Sequence, residues 1–179
     1  MATRSMSACI GTRWIAFGMA AILANLMAGC GTGHGGGASA TYRNKLNEMK
    51  TVQIRVKDQP FDVWLARTED ERERGLMQVT EKEMAATLNG RRGMLFVFPG
   101  EQNLAFWMFN TIIPLDIAYI NAQGQIVKTY TMAPLETRTY PSLEPAQFAL
   151  EVLAGTFEQL GIGVGDHVEI PDSVLKDAR

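Results

Sequence analysis

Residues 51–65 read TVQIRVKDQPFDVWL. Val52, Ile54 and Val56 fall on one side of the chain by strict alternation, Asp58-Gln59-Pro60 supplies a turn, and Phe61, Val63 and Leu65 resume the alternation. Successive side chains of a strand point to opposite faces, so this stretch predicts a β-hairpin with one apolar face. Strand-like patterns return at 94–98, 106–109, 115–120, 126–131 and 148–153, separated by Pro-Gly, Asn-Ala-Gln-Gly and Pro-rich breaks. Asn121 to Gly124 is expected as a tight hairpin connection, and 163–166 as a turn into a last strand at 167–170.

Helical signals are few. Thr68 followed by Glu71 has the spacing of a capping box, so 69–74 should be a short helix stopped by Gly75. A second is expected from Thr80 or Glu81 to Leu88, ahead of an Asn89-Gly90 turn, and Thr156 with Gln159 predicts one more helical turn. The sum is a mainly β fold with a few short helices, a compact antiparallel β-sandwich or barrel-like single domain over 41–179.

The residues before that domain have a different composition. Arg4 and Arg13 precede an uncharged run from Trp14 to Ala28, which ends in small residues before Cys30. This is the charged, apolar and small-residue order of an export signal over 1–29, too short for a spanning helix, which needs about 20 apolar residues. Leu26-Met27-Ala28-Gly29-Cys30 resembles the lipobox of bacterial lipoproteins, although Met27 stands where Leu is usual. That resemblance implies lipid on the Cys30 thiol, a membrane partner through this anchor, and an exported protein on the cell envelope. With Gly31 rather than Asp next, it implies the periplasm-facing outer membrane where the organism has one. The alternative is an ordinary secretory peptide that leaves Cys30 as a free thiol. Residues 30–40 form a Gly-rich linker suited to a flexible tether, and His34 within it has no second ligand beside it.

The chain has 179 residues, and removing the first 29 leaves 15 basic against 19 acidic groups, a net of −4. No nucleic-acid partner is expected of such a surface. Cys9 and Cys30 are the only cysteines, so the body has neither a disulfide framework nor a thiolate zinc site. No Walker or GxSxG pattern occurs, and no cofactor or metal is expected.

Five blocks in order are similar to one family: TEDERERGLM at 68–77, RGMLFVF at 92–98, FWMFNT at 106–111 with Pro114-Leu115-Asp116, Leu150-Glu151 with Ala154-Gly155, and Gly165-Asp166. They resemble the domain-of-unknown-function family 192 over about 52–170. The resemblance implies a compact, mainly β and often exported fold with no settled activity. Members commonly carry Lys where this chain has Phe109, and some carry a Cys in the segment equivalent to 135–142, where this chain has none.

Two sets of residues could carry chemistry. Asp116 shares a strand face with Ala118 and Ile120, and Glu151 shares one with Ala149 and Leu153. If those faces turn inward, both carboxyls must be paired or protonated. Arg72 is the natural partner, because its planar fork can take a carboxylate bidentately. One reading makes Arg72, Asp116 and Glu151 a structural ion-pair network; the other leaves a carboxylate open to a ligand. Trp107 beside Asn110 and Thr111 offers an indole with orienting hydrogen bonds, suited to a small polar ligand or a sugar ring. The plain alternative puts these aromatics in the core and Asn110-Thr111 in a turn. Met77 and Met94 read as core fillers, and His167 as structural or exposed.

Three functions follow. The favoured one is a membrane-tethered envelope binding or accessory domain for a small polar ligand or an envelope protein, with its pocket near Trp107, Asn110, Thr111 and Asp116. The second is a hydrolase or lyase in which Asp116 and Glu151 divide acid and base duties. The third is a pocketless protein-interaction module.

Overall fold

The computed structural model describes residues 42–85, 87 and 90–176, so the expected export signal over 1–29, Cys30, the expected linker and His34 lie outside the described residues. The hairpin at 51–65 is formed by β1 (Thr51–Val56) and β2 (Gln59–Ala66). Val56 pairs with Gln59, leaving Lys57 and Asp58 as a two-residue turn with Lys57 at φ 53°. The turn therefore sits one residue earlier than Asp58-Gln59-Pro60, and Pro60 joins the strand opposite Arg55. Pairing of β2 with the next strand begins only at Phe61, so the missing Pro60 N–H breaks no bond there.

The chain continues through α1 (Glu69–Arg74), β3 (Arg91–Gln102), β4 (Ala105–Phe106), β5 (Leu115–Ile120), β6 (Ile126–Met132), β7 (Tyr140–Pro141), β8 (Ala146–Leu153), α2 (Thr156–Leu160), β9 (Val168–Glu169) and α3 (Asp172–Lys176). Seven strands form one sheet in the order β6-β5-β8-β3-β2-β1-β9, while β4 and β7 pair separately. All neighbours run antiparallel except β2 and β3, which are parallel and joined by a crossover that carries α1. The sheet curls into a half-barrel. At one end its two edges meet: Ile126 N–H donates to Asp166 O at 2.9 Å, and Val168 N–H to Gly124 O at 2.7 Å. Gly124 has φ 82°, and a Cβ there would stand 2.8 Å from the Val168 carbonyl, so the closure needs glycine.

Both faces of the sheet are buried. Ile126 and Val168, from the joined edges, pack with Val63, Leu95, Phe148 and Leu150 inside the curl, where α2 adds Phe157 and α3 adds Val174. On the outer face Met94, Phe96, Ile117, Tyr119 and Ala149 are covered by Leu76, Val79, Met84, Leu104 and Met108. Met94 is thus a core filler, and Met77 is buried as well. Double burial explains why 115–120 and 146–153 read as nearly continuous apolar runs.

Several local expectations change. The capping box at Thr68 is present, with Glu71 N–H donating to Thr68 Oγ1 at 3.2 Å and Thr68 N–H to Glu71 Oε2 at 2.9 Å. Gly75 ends the helix at φ 44°. The stretch from Thr80 makes only turns, although Thr80 N–H donates to the Glu83 carboxylate at capping-box spacing; Leu88 and Asn89 lie outside the described residues. The strand expected at 106–109 stops at Phe106, since Thr111 N–H donates to Met108 O and Asn110 turns left-handed at φ 55°. Thr156 does not cap α2: its hydroxyl donates back to Leu153 O, and Gly155 stands at the N-cap. The helix α3 carries no signal that was read from sequence. Among the described residues no helix is long and apolar enough to cross a membrane.

Candidate functional site

The outer face of the sheet holds a cleft of about 540 Å³ between α1, β3, β4 and the Trp107 turn, within the usual range for small-molecule sites. Its lining includes Arg72 and Arg74 from α1, Phe96 and Phe98 from β3, Phe106, Trp107 and Thr111, and Glu151 from β8.

Glu151 is the unusual member. It lies opposite Met94 on one side and Ile117 on the other, in the middle of the sheet, and is 4% exposed. No hydrogen bond or ion pair reaches its carboxyl among the described residues. Burial alone therefore pushes its pKa up to about 8, so that at neutral pH the group mostly keeps its proton. The same site pushes the Tyr119 phenol up, first through burial and then through the Glu151 charge. Tyr119 donates its hydroxyl to Tyr140 O.

Arg72 does not answer Glu151. Its guanidinium donates to Arg67 O and, at 3.1 Å, to Val97 O, and lies 4.9 Å from the centre of the Phe98 ring. These contacts fix α1 across β3 and leave the planar head on the cleft wall. The helix is tied a second time by Asn44, buried, whose Nδ2 donates to Glu71 O at 2.9 Å and Gly75 O at 3.0 Å. No sequence signal marked Asn44, because its partners lie 27 and 31 residues away.

Asp116 belongs elsewhere. In register it faces Val152, whereas Ile117 faces Glu151, so the two carboxyls project to opposite sides of the sheet. Asp116 accepts from Thr131 Oγ1 at 2.7 Å and from the Phe157 N–H at 3.0 Å, which makes it the cap of α2. The network of Arg72, Asp116 and Glu151 is therefore not formed. Nor can Asp116 and Glu151 share acid and base duties across one substrate, which removes the geometric basis of the hydrolase or lyase reading.

The aromatic turn is split by burial. Met108 is fully buried, while Trp107 and Phe109 point outward, 48% and 40% exposed, and stack with ring centres 5.2 Å apart. Trp107 and Thr111 line the cleft; Asn110 does not, and its carbonyl instead accepts from Gln78 N and Nε2. Of the six candidate ligand contacts, Arg72, Trp107, Thr111 and Glu151 come together, and Asn110 and Asp116 do not. His167 bridges Gln125 at the barrel closure, a structural place.

A curled, mainly antiparallel half-barrel with one face sealed and one face cleft is the class that this fold and site define. Within that class the chain belongs to the family DUF192, described as uncharacterized ACR, whose model matches residues 51–170. Two solved structures are similar. One is a "putative transcription regulator" of Sinorhizobium meliloti 1021, 30% identical, with a TM-score of 0.61 over 68% of this chain and 94% of that one. The other is a protein of unknown function from Novosphingobium aromaticivorans DSM 12444, 29% identical, with a TM-score of 0.63 over 72% of this chain and 91% of that one. No curated protein matches the chain.

Proposed function

We propose that this domain binds a small polar ligand in the cleft over Glu151 and is held at the cell envelope by lipid on Cys30. The observation that carries the binding reading is Glu151 itself: a carboxyl buried between Met94 and Ile117, without a hydrogen-bond partner among the described residues, lining an open cleft. An unsatisfied buried acid is costly, and a ligand that completes its hydrogen bonds recovers that cost. A protonated Glu151 donates one bond and accepts another, which suits a hydroxyl or carbonyl group. Trp107 at the wall supplies a stacking face for a ring, and Thr111 a further polar group.

The anchor rests on the lipobox-like segment before Cys30 and the glycine linker after it. Several acyl chains would hold far more firmly than one. The Gly31 that follows Cys30 favours the outer membrane in an organism with two membranes.

A thermal-shift screen of the full chain against monosaccharides, N-acetylated amino sugars and short peptides tests the binding reading. A hit is expected to raise Tm by at least about 2 °C, since ligand above its Kd stabilises the folded state. Glu151→Leu, which removes both donor and acceptor, and Trp107→Ala should abolish that rise. A hit that survives both substitutions, or a library without hits, removes the cleft as the site. For the anchor, Cys30→Ser should move the protein from the membrane fraction to the soluble one; unchanged fractionation removes it.

A further inference from the structure

We infer that the Trp107–Phe109 turn is a docking surface for the same lipid bilayer that the tether reaches; this rests on the lipid-anchor reading above. Large apolar side chains left exposed among the described residues are few, and Tyr42, Trp107, Phe109, Ile112 and Leu135 fall in one hydrogen-bonded neighbourhood. The links can be followed along the backbone. Arg43 donates to Gln78 O at 3.3 Å, Gln78 N–H to Asn110 O at 2.9 Å, and Leu135 N–H to Thr111 O at 3.0 Å. Met108 N–H donates to Glu136 O at 3.0 Å, completing the pairing of the two loops.

Three of these loop positions, Gln78, Asn110 and Leu135, are non-glycine residues at φ 57°, 55° and 60°. Such a backbone is unfavourable for ordinary side chains. Here it holds two loops so that their apolar residues face water while Met108 and Ile113 between them go into the core. Trp and Tyr prefer the boundary between water and hydrocarbon, where the apolar ring is buried and the N–H or O–H stays wet, and Phe109 adds a purely apolar ring beside Trp107.

The length of chain before the structure selects the occupant. Tyr42 begins the described residues beside this patch, and only the eleven residues 31–41 separate it from Cys30. A stretch of that length reaches at most about 40 Å when fully extended. A domain of this size has a radius of gyration of about 14 Å and is about 37 Å across. Even at full reach the tether is only about as long as the body is wide. The side bearing Tyr42 is therefore the side that meets the membrane first, and the aromatic turn is on that side. Docked in this way, the mouth of the cleft at Trp107 opens at the lipid surface.

The test uses the full chain, processed and purified from membranes, in vesicles of phosphatidylethanolamine and phosphatidylglycerol with and without bromine on the acyl chains. Removal of the leader takes Trp14 with it, leaving buried Trp64 and exposed Trp107 as emitters. Brominated lipid is expected to cut the Trp107 emission at least twofold, and this bromine-sensitive part should vanish in Trp107→Phe. The double change Phe109→Asp with Leu135→Asp should restore quenching by aqueous iodide at least twofold while Trp64 emission stays unchanged. The mass of the N-terminal peptide reports lipid on Cys30 separately. Absence of lipid overturns the anchor and the docking together. Lipid on Cys30 with Trp107 blind to bromine and open to iodide overturns the docking alone. Trp107 shielded from both quenchers means that a protein or a second copy covers the patch, and overturns it as well.

Discussion

Asp116 and Glu151 occupy neighbouring places on adjacent strands and have opposite fates. Asp116 lies on the inner face of the curled sheet, where Thr131 and the first turn of α2 satisfy it. Glu151 lies on the outer face, equally buried, with nothing bound to its carboxyl among the described residues. The inner face is closed by the meeting of its own edge strands. The outer face is covered only by α1 and loops, which leave a cleft. Burial is the same in both places, and satisfaction is what separates a structural carboxylate from a candidate binding group.

The largest expected effect tests that contrast through pH. The folded pKa of Glu151 is raised from 4.5 to about 8, so between these values the folded state keeps a proton that the unfolded state has given up. Its contribution to stability is full below about pH 4.5, is lost as pH rises towards 8, and is gone above it. Denaturant unfolding of wild type and Glu151→Gln should show their difference shifting in favour of Gln by about 4 to 5 kcal/mol between pH 4 and pH 9, at 1.36 kcal/mol per pKa unit. A constant difference would mean that the carboxyl is solvated or paired.

Next in size, Asp116→Ala leaves the Thr131 hydroxyl and the Phe157 N–H without an acceptor and should lower unfolding stability by about 2 to 3 kcal/mol. Amide exchange at Phe157 should rise in the same variant. If Asp116→Ala instead changes ligand binding without loss of stability, the two carboxyls do not divide as argued here.

Asn44→Ala removes two hydrogen bonds that hold the cover of the outer face, and about 1 to 2 kcal/mol is expected in chemical unfolding. Because α1 carries Arg72 into the cleft wall, the same variant should weaken any ligand that the cleft binds. Smallest of all, Phe109→Ser should alter stability by less than about 0.5 kcal/mol, since the ring is exposed. A larger loss would show that the stacked pair with Trp107 supports the fold.

Much of the fold could be read in the chain because its determinants are local. The alternation at 51–65, the Thr68–Glu71 box, the Gly75 stop and the Asn121–Gly124 connection each depend on residues a few positions apart. The failures have a common origin in distant partners. Met108 is drawn into the core while its neighbours Trp107 and Phe109 are turned out, because the backbone of Gln78 and of 135–136 binds that turn. Thr156 loses its capping role to Asp116, 40 residues earlier. Glu151 was visible as a lone acid in an apolar strand, yet its lack of a partner was not.

Alone, the order of residues determined a mainly β domain, its short first helix, and the strand faces on which Asp116 and Glu151 sit. Those properties follow from periodicity and turn chemistry, which act over one or two turns of chain. Strand register and the curl of the sheet decided the rest: which face closed upon itself, which stayed open, and which carboxyl found hydrogen-bond donors. Partners far apart in the chain are brought together only by the pairing of β5 with β8 and by where the loops cross the sheet.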